Sequence, residues 1–585
     1  MPSATKEQIG EILESIARLL ELKGENPFKI RAYTNAARTL ESTQVETAVL
    51  ADPVKLRELD GIGEAIALKI ATLATTGKLP FYEELRDEFP TDLFELFDLQ
   101  GLGAKKIKIL YDKLGVHSIR KLERSCKDGS IAALAGFGEK TAANILEAIA
   151  QRKKNQDQFL LGEITGLAQE MLEMLRSLPA VTHAEIAGSY RRKKEIVRDL
   201  DFIVCTKTPA EVAEAFTQNE WVESILANGE TKCSVMLKRG IQCDLRMVSS
   251  RDYPFALVYF TGSKEHNIRL RSRALEHGWS LNEYRFSIAE NRKKHDPIPD
   301  VHEERDIYKA LDMDFVPPEL REDIGEFDAA QEHTLPDLIK IENLRGTFHC
   351  HTTESDGRNS LEEMANAAQE LGLEYLGIAD HSKSSFQARG LDEDRLAKQR
   401  KEIDRLNKEN PDFRIFAGTE CDILKDGSLD FSDETLAKLD YVVVSIHGSF
   451  SLGEAEMTNR IIKAISNPYV TILGHLTGRL LLSRPPYAVN IPAILEAAAE
   501  TQTIIELNAN PRRLDMDWRW WPLAKEKGVR CAINPDAHST MGLQDLFFGV
   551  GLARKGWLTK KDVVNCLPLS KITAELERKR THFKK

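Results

Sequence analysis

Two aspartates interrupt an apolar stretch, VRDLDFIV, at residues 197–204. Asp199 and Asp201 stand two positions apart, so on a β-strand both side chains point to the same face. Two carboxylates at such close range repel each other, and a divalent cation bound by both would relieve the repulsion. A surface strand with solvated acids is the alternative, but the apolar neighbours count against it. The spacing therefore predicts a metal site.

A third carboxylate, Asp244 in IQCDLRMV, also lies inside an apolar strand pattern. Three acids can hold two metal ions that activate an attacking hydroxyl and neutralise a leaving phosphate. Shortly before the first two acids, AGSYRRKK carries a Gly-Ser turn and two arginines, whose guanidinium groups match phosphate oxygens. This combination indicates displacement chemistry on a triphosphate.

Histidines form a second pattern beyond residue 345, where six of seven stand at or just after the ends of apolar runs. In a parallel βα barrel the strand C-termini converge on one mouth. One histidine at a strand end is usually a capped or core residue. Six histidines and three acids at strand ends are too many for purely structural roles. Nine N and O ligands without a thiolate suit two or three Zn²⁺, Mn²⁺ or Fe ions. The predicted ligands are His349, His351, Asp356, His381, Glu420, His447, His475, Asp536 and His538.

The elements before these sites differ in character. Residues 1–150 have helical periodicity and repeat one pattern three times, an apolar residue, then Gly-apolar-Gly, then an amphipathic helix. The backbone N–H groups of such a turn can hold a phosphate. The repeats resemble helix-hairpin-helix motifs, which imply contacts to the DNA backbone, and plain structural turns are the alternative. Their glycines are Gly61 and Gly63, Gly101 and Gly103, and Gly136 and Gly138.

Charge and composition bound the function. The net charge of −11 argues mildly against a nucleic-acid partner, but residues 101–154 carry twelve Lys and Arg against five Asp and Glu. No apolar run is long enough to span a bilayer, so we expect no membrane partner. Eight scattered cysteines without a CxxC suggest no disulfide framework, and the cytoplasm is the expected location.

Strand-like runs begin near residue 180, and a polar, acidic connector precedes the last ~240 residues. There, short apolar runs alternate with helical stretches, which indicates βα repeats and a parallel, barrel-like sheet.

The first site resembles the nucleotidyltransferase signature, and YFTGSKEHNIRLRSRA (259–274) with SLNEYRF (280–286) resembles the nucleotide-binding segment and thumb of family X DNA polymerases. The resemblance implies that Asp199 and Asp201 bind Mg²⁺ or Mn²⁺ while Asp244 sits by the primer 3′-hydroxyl. One departure is Lys264, which stands where DNA polymerase beta has an acid. The implied nucleotide-binding residues are Gly188, Ser189, Arg192, Tyr259, Phe260, Gly262, Ser263, Lys264 and Asn267.

The helical front resembles the 5′-phosphate-binding lyase domain of the same family. By that resemblance Lys29 and Tyr33 contact the 5′-phosphate of a gap, and Lys69 matches the lysine that forms a Schiff base. A simple phosphate contact is the alternative role for Lys69.

The histidine pattern resembles the PHP (polymerase and histidinol phosphatase) domain, a distorted (β/α)₇ barrel with a trinuclear metal site. The resemblance implies three ion sites: His349, His351, Glu420 and Asp536; Glu420, His447 and His475; and Asp356, His381 and His538. Arg479 and Arg513 are candidate phosphate clamps.

The pairing of both patterns resembles bacterial and archaeal PolX enzymes. We therefore expect a multidomain α+β and α/β chain. Its polymerase part would fill short DNA gaps in base excision repair. Its PHP part would process 3′ ends as an exonuclease or phosphoesterase, and cleavage of abasic sites is a further activity that the resemblance allows. Its partners would be gapped or primer–template DNA with a 5′-phosphate and dNTPs, and the chain would be a monomer at the nucleoid. The predicted domains are lyase-like 1–90, fingers 91–155, palm 156–247 with a mixed sheet, thumb 248–318, linker 319–345 and PHP barrel 346–585.

Three alternatives stay open at this point. The first is a template-independent nucleotidyltransferase, which shares the three aspartates. The second is a DNA-binding phosphoesterase whose polymerase half only clamps DNA. The third is a PHP domain that hydrolyses a small phosphate ester.

Overall fold

The computed structural model describes residues 4, 6–42, 47–59, 61–99, 102–155, 157–290 and 295–584. The chain divides into two compact units, Met1–Gln156 and Asp157–Lys585. No helix in the described ranges is long and apolar enough to cross a membrane.

The first unit is helical throughout its described part, as predicted. Its buried core consists almost entirely of Leu, Ile and Ala at helical spacing. A 3₁₀ helix, Thr91–Asp98, precedes α7. The α-helices are α1 (Lys6–Lys23), α2 (Pro27–Ser42), α3 (Thr47–Leu50), α4 (Pro53–Leu56), α5 (Glu64–Thr76), α6 (Pro80–Asp87), α7 (Ala104–Leu114), α8 (Ile119–Lys127) and α9 (Gly138–Lys154).

The three glycine repeats share one backbone hydrogen bond, although the third differs at its second glycine. In each, the N–H of the apolar residue between the glycines donates to the carbonyl three residues earlier: Ile62 to Leu59 (3.2 Å), Leu102 to Leu99 (3.2 Å) and Phe137 to Leu134 (3.1 Å). Gly61, Gly136 and Gly138 have positive φ, and Gly63 and Gly103 immediately precede α5 and α7. A Cβ at Gly63, Gly103, Gly136 or Gly138 would meet nothing within 4 Å, so these turns are open on the outside. Gly101 lies outside the described residues.

The second unit begins with a mixed five-stranded sheet of order β2-β4-β7-β6-β5. Only the pair of β4 and β7 is parallel, and its register sets Asp201 opposite Asp244. The elements are β1 (Phe159–Leu160), α10 (Leu161–Ser177), β2 (Val181–Ile186), α11 (Gly188–Arg191), β3 (Ile196–Val197), β4 (Asp199–Thr206), α12 (Pro209–Thr217), β5 (Val222–Asn228), β6 (Lys232–Leu237) and β7 (Gln242–Val248).

Next come α13 (Tyr253–Thr261), α14 (Lys264–Glu276), the hairpin β8 (Trp279–Leu281) and β9 (Phe286–Ile288), α15 (Glu304–Ala310) and α16 (Glu326–Gln331). The predicted linker, 319–345, includes α16 and is buried in part. Two of its acids pair with distant residues: Glu326 with His266 at 2.8 Å and Glu319 with Arg554 at 2.7 Å. The sequence pattern alone does not reveal these ion pairs.

The C-terminal part is a distorted barrel of seven parallel strand positions, as predicted. β12 and β13 are halves of one strand interrupted at 418–419, since the first pairs with β11 and the second with β14. The barrel closes where His351 N–H donates to the Ala537 carbonyl (2.9 Å) and Ala537 N–H to that of His349 (3.2 Å). Apart from the partly exposed Arg414 at the start of β12, the residues of its strands are buried, as is typical of parallel sheets.

The strands of this barrel are β10 (Gly346–Cys350), β11 (Tyr375–Ile378), β12 (Arg414–Ala417), β13 (Glu420–Asp422), β14 (Val443–Ser445), β15 (Ile472–Leu473), β16 (Ile504–Asn508) and β17 (Cys531–Asn534). Its helices are α17 (Leu361–Glu370), α18 (Glu393–Glu409), α19 (Asp433–Leu436), α20 (Glu454–Ile465), α21 (Ile491–Thr501), α22 (Trp521–Glu526), α23 (Leu546–Lys555), α24 (Leu569–Leu576) and α25 (Arg578–Phe583).

We expect a lysine of the last helix, Lys579, to make the stability of this unit depend on pH. Lys579 is buried, donates to Thr503 Oγ1 (2.7 Å) and to the Ile465 carbonyl, and has no carboxylate partner among the described residues. Burial lowers its pKa to about 7. Between pH 7 and 10 the unfolded chain therefore binds one more proton at Lys579 than the folded chain does. In this range the free energy of unfolding rises with pH by at most about 1.4 kcal/mol per pH unit.

We expect Lys579→Met to remove this contribution. The Tm of the variant minus that of the wild type, measured by thermal unfolding, should be larger at pH 7 than at pH 9. A Tm difference that is the same at both pH values would contradict the prediction.

Candidate active sites

The three predicted aspartates meet on the mixed sheet. Asp199 and Asp201 lie on β4 and Asp244 on the adjacent β7, opposite Asp201. Burial and the charges of Asp199 and Asp244 raise the pKa of Asp201 to about 7. Burial and Asp244 also raise the pKa of Asp199. The mutual repulsion anticipated from the sequence is thus present in the folded protein, and a bound cation would relieve it.

Asp244 differs because it has a cationic partner. Lys232 Nζ lies 2.6 Å from its Oδ2, and Gln242 donates to Oδ1 at 3.0 Å. Burial alone would raise the pKa of Asp244, but these hydrogen bonds lower it. Neither Lys232 nor Gln242 was predicted as a partner of Asp244, because the sequence does not show which strand pairs with which.

Gly188 allows the turn before β4 to approach Asp201. Its φ is +61°, and a Cβ there would lie 2.3 Å from Asp201 Oδ2. The N–H of Ala187 also donates to the Asp201 carbonyl at 2.7 Å. A side chain at residue 188 would therefore displace the Asp201 carboxylate.

We accordingly expect Gly188→Ala to reduce any metal-dependent reaction at the three aspartates by about 10²-fold, since misplacing a reacting group by about 1 Å has that effect. Primer-extension rates would measure the loss. Gly229→Ala is a suitable control, because the nearest atom to its Cβ would be 3.4 Å away. Equal rates for Gly188→Ala and the wild type would contradict the prediction.

Other predicted nucleotide-binding residues surround the α13–α14 junction. Arg192 donates from Nη1 to the Thr261 carbonyl, beside Gly262. Ser263 caps α14 by accepting from His266 N–H, and the exposed Lys264 begins that helix.

The remaining members of that set lie close by in the chain. Ser189 is in α11, directly after Gly188. Asn267 donates to the Tyr259 carbonyl at 2.7 Å, and the Tyr259 and Phe260 rings are 5.1 Å apart.

In the first unit, the predicted phosphate and lyase residues gather around Phe81. Lys69 Nζ lies 5.0 Å and Lys29 Nζ 6.0 Å from the centre of that ring. Tyr33 stacks on it at 6.2 Å. Burial and the charge of Lys29 lower the pKa of Lys69, which increases the fraction of neutral amine.

The nine predicted ligands of the barrel also meet at one place, with Glu420 at the centre. Its carboxylate oxygens lie within 4 Å of ring nitrogens from five histidines. The shortest contacts are 2.9 Å, to His381 Nδ1 and His475 Nε2. His538 Nε2 lies 3.4 Å from Asp356 Oδ1, and His351 Nε2 lies 3.2 Å from Asp536 Oδ1.

Three groups of potential ligand atoms have the spacing of metal sites: His349, His351 and Asp536; His381, Glu420 and His447; and His351, Asp356, His381 and His538. Within each group the atoms lie within 4.8 Å of one another. Compared with the distribution implied by resemblance, His381 takes the place of His475 beside His447, and Glu420 is absent from the first group. His351 and His381 each belong to two groups. The assignment of ligands to individual ions therefore stays a prediction.

The chemistry of these atoms fits metal ions. His349 Nε2, both ring nitrogens of His351 and Glu420 Oε2 are buried and make no hydrogen bond. Buried polar atoms without partners are costly, and imidazole nitrogens beside carboxylate oxygens are donors that suit Zn²⁺, Fe and Mn²⁺.

The charges of the site are strongly coupled. Burial alone would raise the pKa of Glu420, but His447, His349 and His381 lower it well below its ordinary value. Burial would lower the pKa of His447, but Glu420 and Asp422 raise it to about 10. Cations bound by these side chains would replace the protons that otherwise balance the acids.

Several supporting residues were missed from the sequence. Glu506 accepts from His349 Nδ1 at 2.7 Å, and Asp422 from His447 Nδ1 at 2.9 Å, so each fixes the other ring nitrogen for metal. Asp380 accepts from Thr352, Ser355 and Gln399 behind the site. The available signal was an acid inside or beside a buried strand, as in IIELN and GIADH.

The two arginines predicted as phosphate clamps differ. Arg513 Nε lies 3.2 Å from Asp536 Oδ2, at the edge of the ligand cluster. Arg479 is instead buried between Asp517 (2.8 Å), the Arg513 and Leu514 carbonyls and Glu195 of the palm. Its guanidinium holds the barrel to the palm, so its prediction as a phosphate ligand is wrong.

Models of known families match four stretches of the chain. They are a helix-hairpin-helix domain at residues 4–79, a SAM-like helix-hairpin-helix tandem at 93–151, the DNA polymerase beta thumb at 256–322 and the PHP domain at 347–510. The hairpin, thumb and PHP interpretations are therefore confirmed.

One relative matches almost the whole chain. It is 39% identical over 575 residues, which cover 98% of this chain and 99% of the relative, DNA polymerase/3′-5′ exonuclease PolX of Bacillus subtilis (strain 168). A probable phosphatase of Caldicellulosiruptor bescii is 30% identical over 205 residues, 32% of this chain and 78% of that protein. A probable phosphatase of Caldanaerobacter subterraneus is 37% identical over 136 residues, 21% of this chain and 50% of that protein.

Proposed function

Because the chain belongs to the DNA polymerase/3′-5′ exonuclease PolX family, we propose that it extends DNA primers at Asp199, Asp201 and Asp244 and shortens 3′ ends in the barrel. The observation that carries this proposal is the presence of two separate clusters in one chain: three aspartates on the mixed sheet, and histidines with carboxylates in the barrel. Base excision repair is the pathway to which we assign it.

At the polymerase site, Mg²⁺ or Mn²⁺ would be held by Asp199 and Asp201 and would supply Lewis-acid chemistry to the triphosphate. Lys232 keeps Asp244 ionised, so that carboxylate can accept a proton from the primer 3′-hydroxyl or orient it. Arg192, beside Gly262, would bind the triphosphate. Asn267 is held by the Tyr259 carbonyl on the side where the nascent pair would lie.

At the barrel site, Zn²⁺, Mn²⁺ or Fe ions would activate water for attack on a phosphodiester. Glu506 and Asp422 hold His349 and His447 in the tautomers that leave Nε2 free for metal. Arg513 lies beside Asp536 and would neutralise the phosphate.

For the partners we propose gapped DNA with a 5′-phosphate, bound through the open glycine turns, and dNTPs. We further propose that the protein acts as a monomer at the nucleoid in the cytoplasm. The polymerase and PHP families are both metal-dependent. We propose Mg²⁺ or Mn²⁺ for the polymerase site and Zn²⁺, Mn²⁺ or Fe ions for the barrel.

The test is incorporation of each dNTP opposite each of the four template bases, on gapped DNA with a labelled primer. Preference for the matched dNTP would support a template-directed polymerase, and equal incorporation of all dNTPs would instead indicate the template-independent transferase. Without dNTPs the primer should shorten from its 3′ end. Hydrolysis of nitrophenyl phosphate but not of DNA would show that the barrel acts on a small ester.

A second candidate activity is 5′-deoxyribose phosphate lyase chemistry, favoured by the lowered pKa of Lys69 beside Lys29. We expect borohydride to trap a covalent adduct between the wild type and 5′-deoxyribose phosphate DNA, and Lys69→Ala to lose it. Lys29→Ala is the control, because it would weaken phosphate binding but leave the nucleophile. Equal trapping by Lys69→Ala would exclude Lys69 as the nucleophile.

A further inference from the structure

A partly buried ionic cluster connects the barrel to the triphosphate arginine of the polymerase site. We call Arg192, Lys194, Glu322 and Lys555 the Glu322 cluster. The carboxylate of Glu322 lies 3.1 Å from Arg192 Nε, 3.0 Å from Lys194 Nζ and 2.6 Å from Lys555 Nζ. Arg192 and Lys194 follow α11 of the palm, whereas Lys555 ends α23 of the barrel.

This cluster fixes the orientation of the Arg192 guanidinium. Nε donates to Glu322 and Nη1 to the Thr261 carbonyl, while Nη2 makes no hydrogen bond to the part of the chain that the structure describes. A guanidinium has five N–H donors in one plane. With Nε and one Nη1 N–H held, the second Nη1 N–H and both Nη2 N–H groups are available for a phosphate.

The cluster also decides the local charge. Glu322 alone would cancel the positive charge of Arg192, but three cations around one carboxylate leave a net positive charge for the triphosphate. Lys555 is fully buried, and its ammonium also donates to the carbonyls of Arg192 (3.1 Å) and Glu319 (3.3 Å). One barrel residue thus touches both the acid that orients Arg192 and the backbone of Arg192 itself.

We propose that Lys555 is a positioning residue for nucleotide binding, and that through Glu322 and the Arg192 carbonyl the barrel presents Arg192 to the dNTP triphosphate. This inference rests on the proposed polymerase function. It assigns the C-terminal barrel a role in synthesis that is separate from its own hydrolytic site.

The test compares Lys555→Met with the wild type as full-length proteins. We expect the KM for the matched dNTP and the Kd of a fluorescent dATP analogue in Mg²⁺ to rise about tenfold, the usual scale for losing one charged hydrogen bond. The kcat should change little, because ground-state binding is what is lost. The 3′-shortening rate should be unchanged, since Lys555 is outside the nine-ligand cluster.

Arg554→Met is the matched control. Arg554 is the neighbouring residue of α23 and pairs with Glu319 at 2.7 Å across the same junction, but it is not among the partners of Arg192 or Glu322. It should leave KM and Kd unchanged. If both variants raise KM and Kd equally, Lys555 only holds the barrel against the rest of the unit and the proposal is wrong. An unchanged Kd for Lys555→Met would also contradict the proposal.

A charge-cancelling variant separates positioning from folding. Lys555→Met/Glu322→Gln should restore the Kd toward the wild-type value, because Gln still accepts from Arg192 Nε and needs no neutralising cation. If Lys555→Met does not fold, the pair Glu322→Ala and Glu322→Gln replaces it, and only Ala should raise the Kd. If the protein binds the analogue but extends no primer, the proposed function is refuted. The role of Lys555 would still be tested, because the Kd values of the variants can be compared without primer extension.

Discussion

Changing the two paired aspartates to asparagine, Asp199→Asn/Asp201→Asn, is expected to abolish primer extension. The change keeps the shape of both side chains but removes the negative charges that would hold the ions. Since losing a single stabilising group from an active site typically costs about 10²–10³ in rate, we expect a loss of at least about a thousandfold. The measurement is the rate of matched single-nucleotide incorporation on gapped DNA.

This variant has a further expected property. Removing the repulsion that raises the pKa of Asp201 should not destabilise the fold, so the Tm should be equal to or above that of the wild type. Asp252→Asn, a change of a partly exposed carboxylate at the N-cap of α13, is the control for the loss of one carboxylate. Extension at more than a tenth of the wild-type rate by the double variant would refute the assignment of these acids.

The second large effect concerns Glu420, whose carboxylate contacts five histidines in the barrel. We expect Glu420→Gln to lower the 3′-shortening rate by more than about a hundredfold, because loss of a supporting partner alone costs 10–100-fold. The variant should also bind fewer ions per chain, as measured by elemental analysis of the purified protein. Primer extension should be retained.

Asp422→Asn provides a graded comparison. Asp422 holds only His447 among the predicted ligands, at 2.9 Å, and so its loss should reduce the shortening rate about 10–100-fold. Full shortening activity and a full complement of ions in Glu420→Gln would show that the cluster is structural.

Much of both sites can be predicted because the signals are local. Alternation along one strand sets Asp199 and Asp201 on one face, and histidines at the ends of most apolar runs indicate the mouth of a parallel barrel. The two-halved strand β12–β13 is harder to predict, since the interruption at 418–419 is visible only in its pairing with two different neighbours.

What sequence could not provide is pairing between distant residues. Glu322 belongs to an acidic stretch that was predicted as a linker, yet its partners come from the palm and from α23. Arg479 was predicted to bind phosphate, but in the fold its guanidinium forms ion pairs with Glu195 and Asp517. A charged residue in a loop can serve a ligand or an interface, and only the fold decides between them.

The central claim, that one chain carries two separate active sites, is tested most directly with one substrate and three proteins. Wild type, Asp199→Asn/Asp201→Asn and Glu420→Gln would act on the same labelled, gapped, 5′-phosphorylated DNA in Mn²⁺, with and without dNTPs. We predict that the first variant only shortens the primer and the second only lengthens it. If either variant loses both activities while remaining folded, the two reactions share one site and the account is wrong.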